Sequence, residues 1–216
     1  MLEARPILTI GDCNTLGSGT LRHNSYPERL GRLLGAAVEN KGGTMSTSRE
    51  GLRLLADHLR PDHDLIVIQF GLVDSYATFR YAPYVLYYPD NCLRKPLRSL
   101  VKSFKKRCRR YRLNNLFGES PVVPQKEFAD NIRAMVERCK GRRVILPETI
   151  PNHDTSRNEA ICAYNSSLAK VAEETGATCL PLYDTFLANM DTYYTDATHA
   201  NAAGYDYIAE VIAFLD

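Results

Sequence analysis

Two short stretches hold residues whose types and order suit acyl chemistry. One is Gly11-Asp12-Cys13-Asn14, directly after the apolar run Ile7-Leu8-Thr9-Ile10. The other is Asp196-Ala197-Thr198-His199, just before the last apolar helical pattern. An ionised cysteine is a strong nucleophile, and a neighbouring imidazolium raises its ionised fraction. An imidazole can take and return a proton near neutral pH. A carboxylate that accepts from the other ring nitrogen fixes its tautomer. Cys13, His199 and Asp196 are therefore the candidate nucleophile, base and orienting acid. The competing reading of Cys13 is a buried thiol in a fold without chemistry.

These residues must be positioned by the elements around them. Residues 6–10 read as a buried strand, 36–39 as a second, 64–70 as the clearest one, and 143–146 and 178–182 as two more. Helical spacing predicts helices over 27–34, 48–59, 128–139, 155–176 and 202–215. In the first, Leu30, Leu33 and Leu34 share one face; in the second, Leu52, Leu55 and Leu59 point inward. Strands alternating with helices imply a parallel sheet covered on both sides, with ligands at the carboxyl ends of its strands. The candidate residues follow strand ends, which suits that rule.

Residues 75–125 break the alternation and read as an insertion after the third strand. Tyr76, Phe79, Tyr81, Tyr84, Tyr87 and Tyr88 make its first part aromatic. Residues 94–112 hold ten Lys or Arg and no acidic residue, with Leu97, Leu100, Val101, Phe104, Cys108 and Tyr111 at helical spacing. That pattern predicts a basic amphipathic helix. The whole chain carries a net charge of only +2, so the basic character is local.

The motifs together resemble the SGNH (GDSL-type) hydrolase superfamily. Gly11-Asp12-Cys13 is similar to its first block, where the family carries a serine nucleophile. Asn40 to Ser48 with Gly51 resembles the second, Gln69 to Asp74 the third, and Asp196 to His199 with Gly204 and Tyr205 the last. The blocks run in the family's order over nearly the whole chain. The resemblance implies an α/β fold, a three-layer α/β/α sandwich with a central parallel sheet of SGNH/flavodoxin-like type. The basic helical segment is then an inserted lid in one domain spanning 1–216.

It also implies acyl-ester or thioester hydrolysis through Cys13, His199 and Asp196. The family's oxyanion glycine falls on Met45 and its oxyanion asparagine on Val73. A backbone N–H at Met45 can still donate; Val73 cannot, and Gly43 is the substitute. Asp12 and Asn14 complete the candidate oxyanion and substrate-binding set, with Asp12 expected to order the turn. Asp74 and the Tyr164-Asn165 pair are expected to be structural. A thiolate nucleophile that leans less on an oxyanion hole would connect Cys13 with Val73. The alternatives are acyl transfer to a sugar hydroxyl, or a non-catalytic binding scaffold on a degenerate SGNH fold.

Composition bounds these readings. A chain of 216 residues with 44% hydrophobic content is sized for one core. It lacks an apolar run near 18 residues and opens without an apolar leader pattern, so a cytoplasmic protein with free thiols is expected. The six cysteines show no zinc-type spacing, so no metal or cofactor is implied. Cys139, Cys162 and Cys179 are expected as small core residues, and His23, His58, His63 and His153 as surface ones. The expected substrate is an acyl-ester small molecule or an O-acylated glycan. The basic segment suits an anionic partner or an anionic membrane surface; nucleic acid is not expected.

Overall fold

The computed structural model describes residues 6–80, 82–111 and 118–215. In chain order its elements are β1 (Ile7–Gly11), α1 (Cys13–Leu16), α2 (Tyr26–Leu34), β2 (Val38–Gly42), α3 (Ser48–His58), β3 (Leu65–Gln69), β4 (Ala77–Phe79) and α4 (Arg94–Arg110). There follow β5 (Glu119–Pro121), α5 (Gln125–Arg138), β6 (Arg143–Pro147), α6 (Asn158–Thr175), β7 (Thr178–Leu180), α7 (Tyr183–Ala188), α8 (Met190–Tyr193) and α9 (Ala202–Phe214).

Five strands form one parallel sheet in the order β2-β1-β3-β6-β7. Alternate strand residues face opposite sides. Leu8, Ile10, Ile66 and Ile68 pack with Leu55 of α3, Phe128 and Ile132 of α5, and Leu168 of α6. Ile7, Leu65 and Val67 pack with Leu30 of α2 and with Tyr205, Ile208 and Ile212 of α9. Both faces are thus covered, giving three α/β/α layers. This double coverage is why β1 and β3 read as unbroken apolar runs.

Local chemistry sets the helix ends. Ser25 with Glu28 and Thr47 with Glu50 form reciprocal capping boxes on α2 and α3. Gly35 and Gly176 end α2 and α6 in the left-handed conformation.

Several boundaries and faces differ from expectation. The second strand runs over Val38–Gly42 and not 36–39, because it pairs residue for residue with β1 up to Gly11. Leu33 is 54% exposed, since of its three leucines α2 fully buries only Leu30. Cys162 is exposed on α6, while Cys139 is buried and Cys179 half-buried. His63 is buried, with Nδ1 accepting from the Arg60 N–H at 3.1 Å. The chain between the last strand and Asp196 forms α7 and α8, too short to show a helical period.

Residues 75–125 contain an antiparallel ribbon of β4 and β5. The expected basic helix spans Arg94–Arg110 between them. Tyr81 and Arg112 lie outside the described residues. No helix among the described residues is long and apolar enough to cross a membrane.

Candidate active site

The sheet order reverses direction between β1 and β3, and Cys13 and Val73 follow those two strands. At the end of β1 the chain turns sharply. A Cβ on Gly11 would stand 2.1 Å from Thr15 Oγ1 and 2.6 Å from the Gln69 carbonyl oxygen, so only glycine fits. Asp12 caps the four-residue helix α1 by accepting the Asn14 N–H at 2.9 Å. Thr15 Oγ1 donates to Gln69 Oε1 at 3.0 Å and contacts Tyr26 Oη at 3.2 Å, which anchors α1 on the sheet. Cys13 opens α1 and is half-buried.

The Asp196–His199 pair is fully formed. Asp196 accepts from the N–H groups of Thr198 at 2.8 Å and His199 at 2.9 Å. His199 Nδ1 lies 2.8 Å from Asp196 Oδ2 and 3.0 Å from Oδ1. Partial burial works against the ionised Asp196, but the bonds from His199 and the two amides hold its carboxyl below the usual range. With Nδ1–H directed at the carboxylate, Nε2 is left as the basic nitrogen. Among the described residues Nε2 has no hydrogen-bond partner, and no such bond joins it to Cys13.

Asn14 fastens the two halves. Its Nδ2 donates to the Thr198 carbonyl and its Oδ1 accepts the Ala200 N–H, both at 3.2 Å. Asn14 therefore belongs to the scaffold, and the expected substrate-binding role of its side chain gives way to that. Asp12 is likewise buried under the turn. Asn152 adds a second support, donating from Nδ2 to Thr198 Oγ1 at 3.1 Å, and the His153 N–H donates to the Ala197 carbonyl at 3.0 Å. The role of Asn152 was not legible in the sequence, because nothing in its neighbourhood marks it as a partner of residue 198.

The oxyanion candidates separate. Met45 has φ +58°, the left-handed region that favours glycine. A methionine thus holds the backbone shape of a glycine position. The N–H groups of Cys13 and Met45 have no carbonyl partner among the described residues. Gly43 is corrected: its N–H is committed to the Gly11 carbonyl at 3.0 Å and is not free for an oxyanion. Val73 is fully buried and offers no side-chain donor. Asp74 is structural as expected, accepting the Ser48 N–H at 2.9 Å and its hydroxyl at 2.6 Å. The Tyr164–Asn165 pair also matches: Asn165 clamps the Thr149 N–H and carbonyl, both at 2.9 Å.

Electrostatics reverses one expectation. Burial, then the charges of Asp12 and Asp196, push the Cys13 thiol far above its ordinary value. The thiol is therefore protonated at neutral pH, and a preformed thiolate is not the resting state. Burial also pushes the Asp12 carboxyl up to about 7 and that of Asp74 to about 6.

A cavity of about 370 Å³ is lined by Met45, Val73 and Tyr76, while Cys13 and His199 are not among its lining residues. Its walls include Phe79, Tyr84 and Tyr87, with Lys102 and Lys106 of α4 at the far side. Burial and the nearby Cys13 raise the Tyr76 phenol, and Tyr76 also lines the cavity. The Arg157 guanidinium sits 4.6 Å from the Tyr76 ring centroid. The sequence singled out Tyr76 only as one of an aromatic run, and Arg157 not at all.

The chain belongs to the GDSL-like lipase/acylhydrolase family, whose model matches residues 9–207. No curated protein sequence matches it. Among solved structures it is similar to a lipase/acylhydrolase from Enterococcus faecalis, with TM-score 0.70 and 17% identity over 98% of this chain and 95% of that one. It is also similar to an acetylxylan esterase from Geobacillus stearothermophilus, with TM-score 0.61 and 19% identity over 99% of this chain and 93% of that one. Catalytic mutants of that esterase replace a serine, an aspartate and a histidine.

Proposed function

We propose that this chain cleaves acyl esters by covalent catalysis at Cys13. The observation that carries the reading is the Asp196–His199 pair, joined through Asn14 to the turn bearing Cys13. Because the thiol rests protonated, His199 Nε2 must take its proton as Sγ attacks the acyl carbonyl. The carbonyl π electrons move to oxygen, and the N–H groups of Cys13 and Met45 hold the resulting oxyanion. The ester C–O bond then breaks, and His199 returns the proton to the leaving alkoxide. Water, deprotonated by His199, attacks the thioester; the carboxylic acid leaves and Cys13 regains its proton. A sugar hydroxyl replacing water in that second half would make the enzyme an acyltransferase.

An O-acylated glycan is the substrate class preferred here. Tyr76, Tyr84 and Tyr87 give the cavity faces on which a sugar ring can stack. The similarity to an acetylxylan esterase supports the same class. Lys102 and Lys106 at the rim suit a substrate that carries an anionic group.

One observation favours a second reading, in which the domain binds an acylated ligand without cleaving it. Val73 leaves the oxyanion without a side-chain donor, which typically costs roughly 2.7–4 kcal/mol of transition-state stabilisation. The deciding experiment is a single turnover with an activated acetyl ester, followed by intact-protein and peptide mass spectrometry. The catalytic reading expects one acetyl group on Cys13, absent in Cys13→Ala and slowed about 10²-fold or more in His199→Ala. Binding of the ester with no adduct and no release of product would establish the second reading instead.

A further inference from the structure

The sequence places Leu97, Leu100, Val101, Phe104, Cys108 and Tyr111 on one apolar pattern, but the structure divides it. Cys108 is buried and Val101 lines the cavity, so these two are covered by the protein. The other side chains face outward. Leu93 is 78% exposed, Leu97 48%, Leu100 67% and Phe104 49%. Leu97, Leu100 and Phe104 follow at steps of three and four residues and form a single line along the helix, and Leu93 directly precedes its first residue. One edge of Phe104 meets Phe79 at a centroid distance of 5.9 Å, and the remainder faces water.

Basic residues flank that line. α4 carries nine Lys or Arg and no acidic residue. Arg98 and Lys95 are paired with Asp90. Lys102 and Lys106 turn to the cavity, but no carboxylate among the described residues pairs with Arg107 or Arg110, which lie outside its lining. A continuous apolar line beside unpaired arginines is unsuited to water. It is also unsuited to the core of a protein interface, where charged residues are depleted. It matches a lipid headgroup layer, where Leu and Phe reach the acyl boundary and Lys and Arg meet phosphate.

We propose that α4 is an interfacial helix that lies on an anionic lipid bilayer. Leu93, Leu97, Leu100 and Phe104 insert at the headgroup–acyl boundary, and the unpaired cations bind lipid phosphates. The opposite face of α4 walls the cavity beside Met45 and Val73. Docking therefore holds the cavity one helix diameter, about 10 Å, from the bilayer surface. The surface does not depend on turnover, so its test is separate from that of the acyl-ester reading.

The test is sedimentation of the full chain with vesicles of phosphatidylcholine alone and of equimolar phosphatidylcholine and phosphatidylglycerol. Binding is expected to the second only, weakening as salt is raised. Leu100→Glu and the Arg107→Glu/Arg110→Glu pair each lower it ten-fold or more, with thermal melting checking that both variants fold. No binding to anionic vesicles would overturn the proposal, as would binding that neither variant changes. It would also be overturned if the chain is a dimer in solution that Leu100→Glu dissociates, since the line would then be a self-interface. Equal binding to soluble polyglutamate, insensitive to Leu100→Glu, would assign the face to an acidic protein and likewise overturn it.

Discussion

The side chain of Asn14 brackets the backbone of His199. It donates to the carbonyl of the residue before the histidine and accepts from the N–H of the residue after it. The base is thereby held to the turn that carries Cys13, although 184 residues separate Asn14 from Thr198 in the chain.

Replacing Asn14 with Ala should therefore affect both stability and rate. The Ala200 N–H is buried and would lose its acceptor. Leaving such a group unpaired costs about 1–3 kcal/mol, readable as a lower urea midpoint. Loss of alignment should lower kcat more than it changes KM. A variant with full kcat would mean that His199 needs no such fastening.

The buried Asp12 makes stability depend on pH. Its carboxyl ionises near 3.8 when unfolded and at about 7 when folded, because burial disfavours the charge. Between those values the folded chain keeps a proton that the unfolded chain has lost. This contribution to stability is fully present below the lower value and is lost as pH rises through the upper one. The urea midpoint should fall between about pH 4 and about pH 7, and fall less in Asp12→Asn. Parallel curves for the two proteins would assign the dependence to other groups.

Thiol labelling follows from the same charges. Cys92 and Cys162 are exposed, whereas burial, Asp12 and Asp196 hold the Cys13 thiol protonated. Iodoacetamide at neutral pH should modify those two before Cys13. Asp12→Asn removes a nearby negative charge and should speed labelling of Cys13 at about pH 8. Fast labelling of Cys13 that depends on His199 would reveal a thiolate–imidazolium pair and reverse this expectation.

Val73 limits the oxyanion site. In a Cys13→Ser background, Val73→Asn should raise ester hydrolysis about ten-fold or more over Cys13→Ser alone, within the range seen for single oxyanion donors. Equal rates in a folded double variant would show that side chain 73 does not reach the reacting carbonyl.

At Met45 the backbone is left-handed. Met45→Gly should be about 1 kcal/mol more stable than Met45→Ala, because only the second keeps a Cβ against the following carbonyl. The comparison removes the methionine side chain from both variants. Equal thermal midpoints would mean that the loop relaxes when the side chain is shortened.

Much of this was legible in the residues themselves. The apolar runs of β1 and β3 announced buried central strands, since each faces a helix layer on both sides. Gly11 and Gly35 marked chain reversals that a side chain would obstruct or strain. The Asp196-x-x-His199 spacing suffices to place carboxylate and imidazole in one loop, because the contact is local. Cys13, Met45 and Val73 could be named from motif order alone.

Other features exist only once distant segments meet. The sequence does not show that Asn14 grips the loop of His199, or that Gly43 has already given its N–H to Gly11. Both depend on which strand ends lie side by side. Nor does it show that the thiol of Cys13 stays protonated, since that follows from burial and from Asp196 arriving from the far end of the chain. The apolar pattern of α4 gives its period but not its partner; in the folded chain Cys108 is buried and Val101 lines the cavity, while Leu97 and Leu100 are left in water. Hydrophobic spacing determines how a segment folds locally, while burial and charge at a site are sums over neighbours that only the tertiary structure assembles.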